Sequence, residues 1–153
     1  MTEIRFYHLT NRSLEDVLPV MLERTVVRDG KRAIVLVGSP ERVEHLNAHL
    51  WTYNDRGFLP HGSKDDGAAE LQPIWLTDGN DNPNGAKVLF LADGGVTDAV
   101  DDYDLVCTLF DGRDSDAVAQ ARERWRAYQA QPDYELTYWQ QTDNGGWEKK
   151  ADS

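Results

Sequence analysis

Two histidines on one predicted helix have a spacing that can hold a metal ion. His45 and His49 are four residues apart, so they lie on the same side of a helix, where two imidazoles can share one ion. A metalloprotease motif would need a glutamate directly after the first histidine, and Leu46 stands there instead. We therefore expect His45 and His49 to be partly exposed polar residues, and we expect the protein to hold no metal and no cofactor.

A second segment imitates the start of a calcium-binding loop. Asp78, Asn80 and Asn82 follow the alternating spacing of such a loop. Pro83 stands where the loop needs a glycine, and Leu89 stands where it needs a bidentate glutamate. The segment is better interpreted as a solvated turn.

Residues for nucleophilic catalysis do not assemble into a recognisable set. The single cysteine, Cys107, lies in an apolar run at residues 105–110, where a thiol usually behaves as a small buried hydrophobe. With one cysteine, disulfides and cysteine zinc sites are excluded. His61 follows a loop and could act as a base, but no serine lies in a nucleophile elbow. The sequence predicts no catalytic residue.

The turn at residues 38–42 follows the second predicted strand, where an α/β protein often binds a nucleotide. It contains one glycine and lacks both the dinucleotide fingerprint and the lysine of a phosphate loop. Pro40 removes an N–H group that a phosphate would accept from, and Glu41 places a negative charge at the helix start. We expect no nucleotide to bind at this turn.

An aromatic stretch after the second predicted helix is typical of a protein interface. The stretch surrounds the turn-like residues 54–57, and a core of this size could not absorb all of its members, Trp51, Tyr53, Phe58, Leu59 and Pro60. Tryptophan and phenylalanine on the rim of a loop often anchor a partner protein. The alternative is that Trp51 only closes the end of the helix.

The third predicted helix combines aromatic and basic residues. Ala121, Trp125 and Tyr128 lie near one face, and Arg122 and Arg126 lie one turn apart beside it. Two arginines beside aromatic rings can hold an acidic peptide or a terminal carboxylate through paired N–H groups. The alternative is a solvated basic face that the helix dipole favours near its C-terminal end.

Alternating strands and helices position the candidate residues described above. Ser13, Ser39 and Asp114 are the expected helix caps, and Pro19 implies either a kink in the first helix or a start near Asp16. The pattern predicts one three-layer α/β domain at residues 1–142, with a mostly parallel sheet and a Rossmann-like topology that lacks the phosphate-binding fingerprint. Residues 143–153 read as a loosely held tail. The predicted strands span residues 4–9, 33–37, 74–77, 87–92, 105–110 and 136–140.

Composition limits the function classes. The chain has 153 residues, 40% of them hydrophobic, and a net charge of −11, which opposes the broad basic surface of a protein that wraps nucleic acid. Any action at DNA would be indirect, through another protein. The apolar runs are too short for a membrane helix, and the first nine residues lack a secretory signal, so we expect a cytoplasmic protein.

Several short segments, in order along nearly the whole chain, resemble the chi subunit of bacterial DNA polymerase III. The most specific are the helix that ends in tryptophan, the Phe-Leu-Pro-His-Gly loop and the Ala-Arg-Glu-Arg helix. The resembling segments are residues 6–9, 30–33, 46–53, 58–62, 72–74, 84–86, 109–112 and 121–125.

The resemblance implies a non-catalytic subunit of the clamp loader complex. In that family, chi pairs with a small psi subunit and grips the acidic, phenylalanine-ended tail of single-stranded DNA-binding protein. By position, Arg122, Trp125 and Arg126 match the tail-binding helix. Trp51 and Phe58, with the adjoining residues 59–60, match the surface that psi or a helicase uses. Val118 stands where some family members have a lysine. Outside the complex, we expect the protein to be a monomer.

Two function classes remain on the sequence alone. One is a replication adaptor that binds peptides and proteins, and the other is a nucleotide-binding enzyme or nucleotide sensor that uses the carboxyl edge of its sheet. The composition of the turn at residues 38–42 favours the adaptor.

Overall fold

A computed structural model describes residues 2–52, 61–63, 70 and 72–152, except for the side chains of residues 51 and 52. The described residues form an eight-stranded sheet in the order β3-β4-β2-β5-β6-β1-β7-β8. Seven strands run parallel, and β8 pairs antiparallel with β7. The strands are β1 (Thr2–Leu9), β2 (Ala33–Leu36), β3 (His61–Gly62), β4 (Ile74–Thr77), β5 (Val88–Leu91), β6 (Leu105–Asp111), β7 (Tyr134–Gln141) and β8 (Trp147–Asp152).

In the described residues three α-helices connect these strands, and all three have the predicted caps, including Ser39, whose hydroxyl accepts from the Arg42 amide at the start of α2 over 3.3 Å. They are α1 (Leu14–Glu23), α2 (Pro40–Thr52) and α3 (Ser115–Gln129). The Ser13 side chain accepts a hydrogen bond from the Asp16 amide, and Asp114 accepts from two amides in the first turn of α3. Such side chains satisfy amides that have no partner within the helix. A short π-helical segment, Arg24–Arg28, extends α1.

Hydrophobic residues fill both faces of the sheet, as a parallel sheet requires. One core joins α1 and α2 to the first face, with Leu18 and Leu46 fully buried. A second core joins α3 to the opposite face around Ile4, Phe6 and Ala121. Every residue of β2, β4 and β5 is buried, in agreement with their continuous apolar sequences. The predicted single α/β domain with a mostly parallel sheet is confirmed.

Two elements differ in detail from the sequence pattern. Pro19 is buried inside α1, so the helix neither begins at Asp16 nor ends before the proline. Within the segment assigned to a loose tail, Trp147–Asp152 forms β8 and pairs with β7. Its sequence is too polar to show the alternation that reveals a strand. Among the described helices, none is both long and apolar enough to cross a bilayer.

Candidate functional site

An aromatic cluster fills the space between α3 and the neighbouring strands β1 and β7. Phe6 of β1 is opposite Tyr138 of β7 in the sheet, and their rings are stacked with centroids 6.3 Å apart. Trp125 of α3 packs edge-on against both, at 5.4 Å from Phe6 and 5.9 Å from Tyr138. Phe6 is fully buried, whereas Trp125 and Tyr138 are partly exposed. The cluster therefore reaches the surface beside the helix.

His8 and Phe110 extend this cluster toward the carboxyl ends of the strands. The His8 ring lies 5.1 Å from the ring of Phe110 on β6 and 5.9 Å from that of Tyr138. Its Nδ1 atom forms a 2.7 Å hydrogen bond with the Tyr138 hydroxyl. Sequence reasoning missed His8, Phe110 and Tyr138. The only sequence signal was the spacing of two residues that puts Phe6 and His8 on the same side of β1.

Arg122 and Arg126 are exposed on the outer side of α3. Within the described residues, neither side chain forms a hydrogen bond or an ion pair. The Arg122 charge acts on two residues of the cluster. After burial, it is the main cause that lowers the pKa of His8, and it also opposes the increase that burial causes in the pKa of Tyr138. We call His8, Arg122, Trp125, Arg126 and Tyr138 the arginine face.

Arg124 points to the other flank of α3. Its Nη1 atom donates to the Gly95 carbonyl over 3.4 Å, and its Nε atom is buried without a partner in the described part of the chain. Burial lowers the pKa of this guanidinium. Val118, one turn before Arg122, is partly buried against the core under α3. The three arginines of this helix segment therefore have different surroundings, as their spacing around the helix requires.

The predicted interface after α2 lies almost entirely outside the described residues. Trp51 belongs to the last turn of α2, but its side chain is not among those described. Phe58, Leu59 and Pro60 fall in residues 53–60, which are also outside. Their assignment to a psi or helicase interface stays a prediction.

The histidine pair on α2 holds α1 in place. His49 Nε2 lies 2.7 Å from the main-chain oxygen of Glu15, and His45 Nε2 lies 3.3 Å from the Glu15 carboxylate. A proline has no N–H, so Pro19 leaves the Glu15 carbonyl without its helical partner, and His49 supplies a donor instead. The two histidines whose spacing resembled a metal site therefore both make structural contacts with α1.

The side-chain amides of the calcium-like segment form hydrogen bonds with their own loop and with the loop after β5. Asn82 forms two 2.9 Å hydrogen bonds with the main chain of Ala86. Asn80 Oδ1 accepts from the Thr97 hydroxyl over 2.7 Å. These contacts agree with the interpretation of the segment as a turn.

A crevice of about 550 Å³ opens at the carboxyl edge of the sheet between β1 and β6. The helices after these adjacent strands pack on opposite faces, which defines the switch point where α/β sheets commonly bind ligands. We call it the switch-point crevice. Its charged lining residues are Arg12, Glu15, Arg42, Asp93, Asp111, Arg113, Asp114, Asp116 and Arg124.

Most of these charges are neutralised within the protein. Arg42 pairs with Asp93 and, over 3.1 Å, with Glu15. Asp111 accepts from the Arg113 main-chain amide over 2.9 Å and from its guanidinium over 3.1 Å. The hydrogen bond from the Arg113 amide is the main cause that lowers the pKa of Asp111. Burial opposes ionisation of Glu15, but its hydrogen bonds, including those with Arg42 and His45, still lower its pKa.

The turn at residues 38–42 packs closely against the loop that follows β5. A Cβ atom added to Gly38 would lie 2.8 Å from the Asp93 carbonyl oxygen, so the two loops touch. Asp93 itself has a φ of 47°, in the left-handed region. The two helix starts at the crevice already have side-chain caps from Ser13 and Asp114. Each cap satisfies one or two amides in the first turn of its helix, which reduces the number of N–H groups left for a phosphate.

Comparison with known proteins identifies a family that matches most of the chain. The family model described as DNA polymerase III chi subunit, HolC, matches residues 1–137, which include β1 and all of α3. A protein of Rickettsia prowazekii (strain Madrid E), named probable DNA polymerase III subunit chi, is 35% identical over 91 residues. That alignment covers 60% of this chain, and the chain spans about half, 54%, of the relative's length.

Proposed function

The chain belongs to the DNA polymerase III chi subunit family, and on that premise we propose that it is a non-catalytic adaptor in DNA replication. The adaptor binds the acidic, phenylalanine-ended tail of single-stranded DNA-binding protein through Arg122, Trp125 and Arg126. It joins the clamp loader through a psi-like subunit. Its contact with DNA is indirect.

One observation carries the tail-binding proposal. Arg122 and Arg126 are exposed without a hydrogen bond or ion pair in the described part of the chain, and they lie beside partly exposed aromatic rings. In a protein with a net charge of −11, carboxylates that could pair with these arginines are abundant. Two guanidinium groups left unpaired next to Trp125 therefore support an external acidic ligand.

An acidic tail that ends in phenylalanine offers a carboxylate for the arginines of the arginine face and an aromatic ring for its aromatic residues. The terminal carboxylate can accept two parallel N–H bonds from Arg122, and the last phenylalanine can pack against Trp125 and Tyr138. The net charge of −11 repels an acidic peptide at long range, so affinity depends on these local contacts. Added salt then weakens binding only moderately, because it also screens the repulsion.

A titration with two peptides tests the proposal. One is an acidic peptide with a free carboxylate on its final phenylalanine, and the other is the same peptide with an amidated end. We expect saturable binding of the free acid and at least about tenfold weaker binding of the amide, a difference of about 1.4 kcal/mol. Equal binding of both, or binding of neither, would contradict the proposal.

The psi-like or helicase partner is assigned to Trp51, Phe58, Leu59 and Pro60. Changing Trp51 or Phe58 to alanine should weaken that partner by about 2 kcal/mol, while the circular dichroism spectrum stays unchanged. If Trp51→Ala instead unfolds the domain, the tryptophan closes the end of α2 and is not an anchor. The tail-peptide titration is independent of this surface, so each half of the adaptor can fail alone.

The location of the switch-point crevice favours the second function class, a nucleotide-binding enzyme or sensor. The charged residues that line the crevice disfavour nucleotide binding. Arg42 and Arg113 are already paired with carboxylates, and Asp93, Asp111 and Asp114 would face a phosphate. The lining has five carboxylates and four arginines, so it carries no net positive charge that would attract a phosphate. The adaptor is therefore the better-supported function.

A further inference from the structure

His8 lies at the mouth of the aromatic cluster, where β1 reaches its carboxyl end. It is on the same side of the strand as Ile4 and Phe6, but those two side chains are fully buried and His8 is partly exposed. Its ring contacts Phe110 and Tyr138. The imidazole is therefore both packed into the arginine face and open to solvent.

Two neighbours fix the orientation of the His8 ring. Its Nδ1 atom is 2.7 Å from the Tyr138 hydroxyl. On its other edge, a Cβ atom added to Gly112 would lie only 2.0 Å from His8 Nε2, so a glycine backbone is needed there. The Gly112 amide donates to the Leu9 carbonyl over 2.7 Å and holds this turn against the strand. Within the described residues, Nε2 has no hydrogen-bond partner.

The charged and titratable groups that act on His8 come from three elements. Arg122 approaches from α3, Asp111 from the end of β6 and Tyr138 from β7. Burial and then Arg122 lower the pKa of His8, and Asp111 opposes them. The unliganded face therefore holds a neutral imidazole beside an unpaired guanidinium at neutral pH.

We propose that His8 and Arg122 together bind the terminal carboxylate of an acidic peptide, and that His8 takes up a proton from solvent when the carboxylate binds. This inference rests on the proposed tail binding. A carboxylate at Arg122 cancels the positive charge that disfavours the imidazolium, and it adds a negative charge that favours it. By linkage, protonation of His8 tightens carboxylate binding by the same factor.

The sign of the pH dependence follows from this coupling. Binding raises the pKa of His8 from its lowered value in the free protein. Affinity is then highest below the free pKa, decreases as the pH rises through the bound pKa, and is constant above it. The carboxylates of the peptide have ordinary pKa values of about 4, so they stay ionised between about pH 5.5 and 8.

Peptide titration at about pH 5.5 and about pH 8 tests the coupling on three proteins: wild type, His8→Gln and His45→Gln. Glutamine keeps a side-chain N–H but does not titrate. Wild type and His45→Gln should bind at least about fivefold more tightly at the lower pH, the low end of typical couplings. His8→Gln should change by less than about twofold. His45 is a matched control because it is exposed on α2, across the sheet.

Nuclear magnetic resonance of the His8 ring in wild type gives a second measurement that needs no variant. The pKa of His8 should rise with the free-acid peptide and not with the amidated one. If the pKa does not rise, or if His8→Gln keeps the wild-type pH dependence, the proton coupling is wrong while tail binding stands. If wild type binds neither peptide at either pH, the proposed function fails, and this inference fails with it.

Discussion

The switch-point crevice and the arginine face both present arginines at the surface, but they differ in how those charges are satisfied. In the crevice, Arg42 and Arg113 pair with carboxylates of the same chain. On the arginine face, Arg122 and Arg126 form no ion pair within the described residues. Two of the four arginines that line the crevice are thus neutralised, whereas Arg12 and Arg124 form no ion pair within the described residues. The unpaired arginines of the arginine face lie beside aromatic rings, which supports the proposal that this face is the functional surface.

Removing Arg122 should have the largest effect on peptide binding. We expect Arg122→Ala to weaken binding of the free-acid tail peptide by about 2 kcal/mol or more, because the carboxylate loses its bidentate partner. Arg122→Lys should recover only part of the loss, since a lysine cannot offer two parallel N–H groups. Calorimetry with the peptide measures both changes. Full affinity in Arg122→Ala would move the site elsewhere.

Arg124 provides the matched control on the same helix. Arg124→Met keeps most of the aliphatic stem and removes a charge that is partly buried on the opposite flank. We expect it to change peptide affinity by less than about 0.5 kcal/mol, in the range of changes away from a contact. A loss as large as that of Arg122→Ala would indicate a diffuse basic surface in place of a defined site.

In the crevice, removing an arginine should affect stability and not binding. Arg42→Ala leaves Glu15 and Asp93 without their shared partner, and we expect the free energy of unfolding to fall by about 1 kcal/mol, the upper end for exposed pairs. Urea unfolding measures this change. The same variant should bind the tail peptide like wild type. Weaker peptide binding would connect the crevice to the proposed site.

The smallest expected effect is that of nucleotides on the crevice. We expect no saturable binding of ATP or NAD below about 100 μM, equivalent to about 5.5 kcal/mol of affinity. The crevice carboxylates and the capped helix starts oppose a phosphate there. Calorimetry up to millimolar nucleotide is sufficient. Saturable binding in the micromolar range would support the nucleotide-sensor alternative.

Local sequence patterns predicted the parts of the molecule that depend on neighbouring residues. The apolar runs gave the buried strands β2, β4 and β5, and Asp114 gave the start of α3. Helical spacing alone placed Arg122 beside Trp125. These features require no knowledge of distant contacts, because they follow from period and capping.

Features that depend on distant contacts escaped the sequence analysis. His8 and Tyr138 are 130 residues apart, and only the parallel register of β1 and β7 brings them together. Pro19 fits inside α1 because His49, 30 positions further along, contacts the carbonyl that the proline leaves without a donor. The middle of strand β8, Glu148 to Lys150, is polar, and the strand forms because it pairs with β7. Tertiary pairing overrides local preference in each case.

The most direct test of the account is a double-mutant cycle between Arg122 and the end of the tail peptide. Wild type and Arg122→Ala are each titrated with the free-acid and the amidated peptide under identical salt and pH. If Arg122 holds the terminal carboxylate, amidation should cost Arg122→Ala about 2 kcal/mol less than it costs wild type, because only the weaker contact with His8 is then lost. If the two changes are additive, with a coupling energy near zero, Arg122 does not contact the carboxylate and the arginine face is not the tail-binding site.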